Sequence, residues 1–288
     1  MGAFFGPAAR ADNETHVYGI AEYDDSGQCV AGEHSVHTDT ANAFLDVFED
    51  LKSDGDWDST VTRNNSNGHG SYWTDSGKAS SCVCESYQSS CSCIGVDTSS
   101  NLGADEADVI YIHTHGGSNY SSSSPSYSSL ILGNKNTDCK PRTDQNMLWG
   151  NSPGDLDIAV IKACQGSQYE VFKNGGYWSM TNSSSTFRMW NGFHGNSSCG
   201  SHVTSYVEDY AEDSVYNGVG ENWLDEAYDW WGDDDCPTSI VFCSTKSNCE
   251  SMYEYGGWLD RKDTGTKSTS YMWYIEGCDP EAGQELPS

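Results

Sequence analysis

Two short runs of apolar, β-branched residues constrain this chain more than any other feature. They are Ala107-Asp108-Val109-Ile110-Tyr111-Ile112-His113-Thr114-His115-Gly116-Gly117 and Asp157-Ile158-Ala159-Val160-Ile161-Lys162-Ala163-Cys164-Gln165-Gly166. Each has the near-continuous hydrophobicity of a strand buried on both faces of a parallel sheet, and each breaks off into a reactive side chain followed by glycine. Open α/β sheets bind ligands at the carboxyl ends of their strands. Two such strands side by side would therefore bring an imidazole and a thiol to one crevice.

Around these runs, strand and helix patterns alternate. His16 to Tyr23 predicts a first strand closed by the turn Asp24-Asp25-Ser26-Gly27. From Asp39 to Lys52, Ala41, Phe44, Leu45, Phe48 and Leu51 recur at helical spacing, with Thr38 or Asp39 placed to cap. Leu130–Gly133 predicts a short strand or hairpin arm, 145–149 an extended piece, 168–173 the start of a crossover helix, and 187–193 a further strand. Helices are expected over 202–216 and 221–231, a last buried strand over 239–243 and an edge strand over 270–275. This alternation predicts an α/β fold, a mostly parallel sheet flanked by helices, in a single domain over 15–278. Residues 1–14 read as a disordered lead and 279–288 as a tail. Residues 59–104, polar, Gly/Ser-rich and cysteine-bearing, are too long for a simple connection and read as a disulfide-stapled surface insertion. Ser118–Ser129 reads either as a flexible rim over the crevice or as a linker.

Composition narrows the partners. With 43 acidic against 14 basic residues, the formal charge of -29 opposes binding to phosphate backbones and anionic membranes. Such acidity fits work in high salt, attraction of cationic ligands, or solubility alone. No run reaches the roughly 18 apolar residues of a membrane helix, and the first residues lack the basic flank and apolar stretch of a secretory signal. Twelve cysteines nevertheless point to an oxidising, extracellular setting. With Cys164 free, the others cannot all pair within the chain, which leaves oligomerisation open. The pairs Cys82/Cys84 and Cys91/Cys93 have one residue between them, too close for usual structural zinc spacing, and read as disulfide staples. Asp54-Gly55-Asp56-Trp57-Asp58 opens like a calcium loop, but Ser59 stands where the loop needs glycine and Asn65 where it needs glutamate. A solvated turn is the expectation there, with an irregular calcium site as the alternative.

The chemistry expected of the crevice is acyl transfer on a peptide or protein substrate. Cys164 serves as nucleophile and His115 as base, and the backbone N–H groups of Gly116 and Cys164 form an oxyanion hole. A strand ending His115-Gly116-Gly117, followed roughly 50 residues later by one ending Ala163-Cys164-Gln165-Gly166, resembles the caspase-like cysteine peptidases, the superfamily of caspases, metacaspases, legumain and gingipains. The resemblance covers the core from about 105 to 170. It implies a caspase-like fold, a His-Cys dyad without metal or cofactor, and a pocket for the residue before the cut lined by the position two before the nucleophile. That position holds Lys162, a departure from the family that would favour an acidic substrate residue; the alternative is that Lys162 snorkels to solvent. His113 shares a strand face with His115 and is placed to orient or replace it. Two other readings remain: a zinc hydrolase built on His113-x-His115 with Cys164 or an aspartate, and a non-enzymatic extracellular filament or surface-layer protein on a peptidase-like fold. His34, His37, His69, His194 and His202 are assigned to surface or packing.

Overall fold

The computed structural model describes residues 13–23, 34–78, 95–98, 103–121, 125–133, 140–151, 153–229, 235–262, 264–280 and 284–288. The lead up to residue 12, the turn at 24–27 and the Cys82/Cys84 and Cys91/Cys93 pairs lie outside these residues. The strands in chain order are β1 (Glu14–Gly19), β2 (Ser59–Thr62), β3 (Val109–His113), β4 (Gly116–Asn119), β5 (Tyr127–Leu130), β6 (Ile158–Lys162), β7 (Met189–Phe193), β8 (Pro237–Cys243) and β9 (Thr269–Tyr274). Seven of them form one sheet in the order β2-β1-β3-β6-β7-β8-β9, and β4 and β5 pair separately as an antiparallel ladder. From β2 to β7 every pairing is parallel, while β8 runs antiparallel to both its neighbours. The expected mostly parallel α/β architecture is thus the observed one. The chain leaves β1 towards β2 on one side and returns to β3 on the other, so a topological switch point lies between β1 and β3.

Among the described residues five α-helices accompany the sheet: α1 (Val36–Asp54), α2 (Tyr169–Lys173), α3 (Val203–Asp213), α4 (Val219–Asp229) and α5 (Lys246–Tyr255). Strand alternation sends Val109, Tyr111, Ile158 and Val160 to one face, where they meet apolar residues of α1, α3, α4 and α5. It sends Ile110, Ile112, Ala159 and Ile161 to the other, where α2 and irregular chain supply Trp73, Met147, Trp149, Val171 and Tyr177. On the helical face Phe44 stacks on Tyr111 with ring centroids 4.6 Å apart and meets the edge of Trp258 at 5.7 Å. Truncating such a ring to alanine removes about 3–5 kcal/mol. Three of the buried indoles satisfy their N–H groups, Trp190 donating to Gly166 O, Trp223 to Gly192 O and Trp258 to Ala211 O, whereas Trp57, Trp73 and Trp149 do not.

Several expectations need correction. Helix α1 begins at Val36 rather than near Asp39, and the Thr38 hydroxyl donates back to Ser35 O instead of capping. Ser59–Thr62, assigned to a surface insertion, is the edge strand β2, and Trp73 from the same segment is fully buried in the core. The Ser-rich stretch contributes β4 and β5, and residues 145–149 form a turn and irregular chain rather than an extended strand. Helix α5 went unexpected. Of the tail, Leu286 is buried and its N–H donates to Cys278 O, so the chain end packs back on the domain. Asp54–Asp58 terminates α1: Gly55 takes φ +82°, and Asp56 N–H closes on Leu51 O.

Among the described residues two disulfides join Cys236 to Cys278 and Cys243 to Cys249, and Cys164 and Cys199 are free. Among the described residues no helix is long and apolar enough to cross a membrane.

Candidate active site

The register of the two central strands fixes where their reactive ends lie. Val109 pairs with Ile158 and His113 with Lys162, and beyond the strand ends Thr114 N–H still donates to Lys162 O at 3.1 Å. Counting two residues on from His113 and Lys162 reaches His115 and Cys164. Their backbones are close: a Cβ built on Gly116 would lie 2.5 Å from the Cys164 carbonyl oxygen, so only glycine fits after His115. The strand ends thus bring the backbones of Gly116 and Cys164 against one another.

His115 is held by residues to which the sequence gave no part in the site. Its backbone N–H donates to the Tyr23 hydroxyl at 3.1 Å, and that hydroxyl is 3.1 Å from Thr114 Oγ1, which donates to Ile131 O. The Tyr23 ring lies 5.4 Å from the His115 ring, and those of His34 and His37 lie at the same distance. Burial pushes the Tyr23 phenol up to about 12, so it stays a neutral donor. Tyr23 follows β1 and His37 opens α1, so the switch point between β1 and β3 supplies this shell.

Cys164 is half-buried and receives the Ser197 N–H on its sulfur at 3.4 Å. The next residue, Gln165, has φ +55°, a left-handed conformation that strains a non-glycine residue by roughly 1–3 kcal/mol. Its side chain holds the strained turn: Oε1 accepts from both N–H and Oγ of Ser118 in β4, and the backbone N–H donates to Gly195 O at 2.7 Å. The turn at Cys164 and Gln165 is thereby tied to the β4–β5 hairpin on one side and to the loop after β7 on the other. A small pocket lined by Tyr120, Gln165, His194 and Gly195 opens beside it.

Lys162 is fully buried and does not snorkel to solvent. Its ammonium donates to Ser197 Oγ at 2.7 Å and Ser198 O at 2.8 Å and lies over the rings of Phe193 and Tyr206. Burial lowers its pKa to about 8, offset by the charges of Asp235, Cys199 and Cys164. Asp235 accepts the backbone N–H and the hydroxyl of Ser198, so the loop over Lys162 is held from both sides.

Beneath His115 sits a second cluster. The rings of His37 and His113 are 4.0 Å apart, and Cys199 Sγ is 3.5 Å from His37 Nε2. Burial lowers His37 to about 4 and His113 well below the ordinary imidazole value, so both rings are neutral at neutral pH. Among the described residues, ligating atoms of three acidic, histidine or cysteine side chains come within 4.8 Å of one another at His37-His113-Cys199 and at Glu14-His16-Glu106. The sequence expected His113 to join His115 and Cys164 in any metal set, and that set is not among these groups. It also placed His37 at the surface or in packing. Helical spacing gave no sign that position 37 would face β3, and nothing near Cys199 signalled a site.

No protein-family model matches the chain, and no curated protein matches it. A solved structure, that of the protein GSU0716 from Geobacter sulfurreducens, is similar over 90% of this chain and 100% of its own, at 8% identity and a TM-score of 0.48.

Proposed function

We propose that the chain is a secreted cysteine endopeptidase resembling the caspase-like peptidases, with His115 as base and Cys164 as nucleophile. The observation that carries this reading is the close approach of the two strand ends, where the chain at Gly116, next to His115, passes against the Cys164 carbonyl oxygen. The free thiol at Cys164 adds support, since four other described cysteines are oxidised in pairs. The two disulfides fit an oxidising extracellular setting.

In the proposed reaction the Cys164 thiol gives its proton to His115 and the thiolate attacks the substrate carbonyl. The developing oxyanion is received by the backbone N–H groups of Gly116 and Cys164. His115 returns the proton to the leaving amine as the tetrahedral species collapses to a thioester. Water, activated by the same imidazole, then frees the acid and regenerates the thiol. Tyr23 is the positioning residue that fixes the His115 backbone. The Lys162 ammonium, enclosed by Ser197 and Ser198, is better placed to hold positive charge behind the thiols than to meet a substrate carboxylate.

The test is alkylation of the unreduced protein by iodoacetamide, mapped by mass spectrometry, beside cleavage of a peptide library. Rapid labelling of Cys164 near neutral pH and loss of cleavage in Cys164→Ala are expected. Cleavage that persists in Cys164→Ala, or a Cys164 no more reactive than an ordinary thiol, sinks the proposal. Cleavage after acidic residues that disappears in Lys162→Met would restore Lys162 to the substrate pocket.

A further inference from the structure

The peptidase reading leaves three side chains without a task, and they converge beneath the crevice. We propose that His37, His113 and Cys199 form a binding site for a zinc-class ion, a borderline-soft divalent metal held by two imidazoles and one thiolate. Their ligating atoms all lie within 4.8 Å of one another, brought together from the start of α1, the end of β3 and the loop after β7.

The hydrogen bonds orient both rings for ligation. His37 Nδ1 lies 2.6 Å from Ile20 O, an acceptor only, so Nδ1 carries the proton and Nε2 presents its lone pair. That Nε2 lies 3.5 Å from Cys199 Sγ. A tetrahedral ion with metal–nitrogen and metal–sulfur bonds of about 2.0 and 2.3 Å holds such a pair ~3.6 Å apart. Thr40 sets the second ring. Its hydroxyl donates to His37 O at 3.2 Å, so the 2.6 Å bond between His113 Nδ1 and Thr40 Oγ1 is donated by the ring. His113 Nε2 is then the ligating atom as well. A single threonine thus holds one histidine's backbone and the other's tautomer, the outer-shell arrangement expected around ligating histidines.

The donor set selects the ion. Two nitrogens and a sulfur suit zinc and its softer neighbours and disfavour calcium and magnesium, which take oxygen ligands. The Lys162 ammonium lies on the same side of the sheet, so a cation here needs negative charge from a ligand. The Cys199 thiolate supplies it, and its proton is released to solvent on binding. Three protein ligands leave a fourth position for water. The loop that carries Cys199 also aims the Ser197 N–H at Cys164 Sγ, so the ion would clamp that loop in register. This last consequence, unlike the site itself, rests on the peptidase reading.

The test is titration of chelator-treated, disulfide-intact protein with Zn(II) alone, and with Co(II) as a spectroscopic probe. One equivalent is expected, with the visible bands of four-coordinate cobalt, a thiolate-to-cobalt charge-transfer band, and a melting temperature raised by several degrees. Cys199→Ser should abolish the charge-transfer band and weaken zinc binding at least tenfold. His113→Asn should do the same, with circular dichroism checking that each variant folds. Cys164→Ala should bind metal as the wild type does. Absence of stoichiometric binding, a charge-transfer band retained in Cys199→Ser, or one lost in Cys164→Ala would overturn the site. Cobalt bands without peptide cleavage would remove the peptidase reading alone, and cleavage without metal binding would remove this site alone.

Discussion

The two ends of the same pair of strands are built on opposite principles. At the amino end, Asp108 before β3 and Asp157 before β6 are closed off by arginines. Arg261 reaches Asp108 and Asp157 at 2.9 Å each, and Arg188 reaches Asp157 at 3.2 Å. Asp108 also accepts the Glu14 N–H, which fixes the start of β1. At the carboxyl end the buried groups are a lysine held only by hydroxyl and carbonyl oxygens, neutral imidazoles and two free thiols. Charge at one end is cancelled within the protein. At the other it is offset only in part, by Asp235, or left unformed. The difference teaches that the amino end registers the strands, and it leaves the carboxyl end as the place where the proposed chemistry would lie.

That contrast can be broken most directly at its extremes. Cys164→Ala should lower cleavage of a peptide library by about a thousandfold or more while leaving the melting temperature within a few degrees of wild type. Arg261→Ala should do the reverse. It leaves two buried carboxylates short of their partner, and denaturant unfolding should show a loss of about 3 kcal/mol with Cys164 alkylation in the remaining folded protein unchanged.

The pH dependences sharpen the comparison because the two ends titrate with opposite signs. Burial pushes Asp105, before β3, from its ordinary 3.8 up to about 9. Between those values the folded chain keeps a proton that the unfolded chain has lost, so stability falls as pH rises, by up to about 1.4 kcal/mol per pH unit. Asp105→Asn should flatten that slope in chemical denaturation series from pH 4 to 9. Lys162 is lowered from 10.5 to about 8, so across that window the unfolded chain holds the extra proton and stability rises with pH. Lys162→Met in chelator-treated protein should remove that rise and slow Cys164 alkylation about tenfold. The smallest expected effect belongs to Tyr23→Phe. Losing the hydroxyl between His115 N–H and Thr114 should remove about 1 kcal/mol of stability and lower kcat a few-fold, with KM unchanged.

Much of the fold was legible because β3 and β6 are buried on both faces and say so in uninterrupted apolar residues. The positions of the proposed dyad follow from where those runs end. Strand β2, Ser-Thr-Val-Thr, is an edge strand only half-buried, and its polar, alternating residues read as loop. Helix α5 buries just Cys249 and Met252, too thin a stripe to show a period, although the Thr245 side chain caps it by accepting the Asn248 N–H. Residues 145–149 misled for the converse reason. Met147 and Trp149 are buried by the turn that Asn146 forms with the Arg142 N–H, not by a ladder. The second layer of the site, Tyr23, His37 and Cys199, was illegible because each reaches the crevice through tertiary packing from elements with their own local patterns. A histidine at the start of an amphipathic helix carries no mark of the strand it will face.

The bond between Cys236 and Cys278 fastens the chain beyond the last strand to the residue after Asp235, the carboxylate that anchors the lid segment over Lys162. Manufacture of this protein is constrained accordingly. A bacterial cytosol kept reduced by glutathione would yield a polypeptide whose C-terminal strap hangs unfastened, and periplasmic export or oxidative refolding should recover homogeneous material. Gentle thiol treatment of the finished protein then becomes a way to loosen one wall of the crevice while the arginine-bound amino end stays shut.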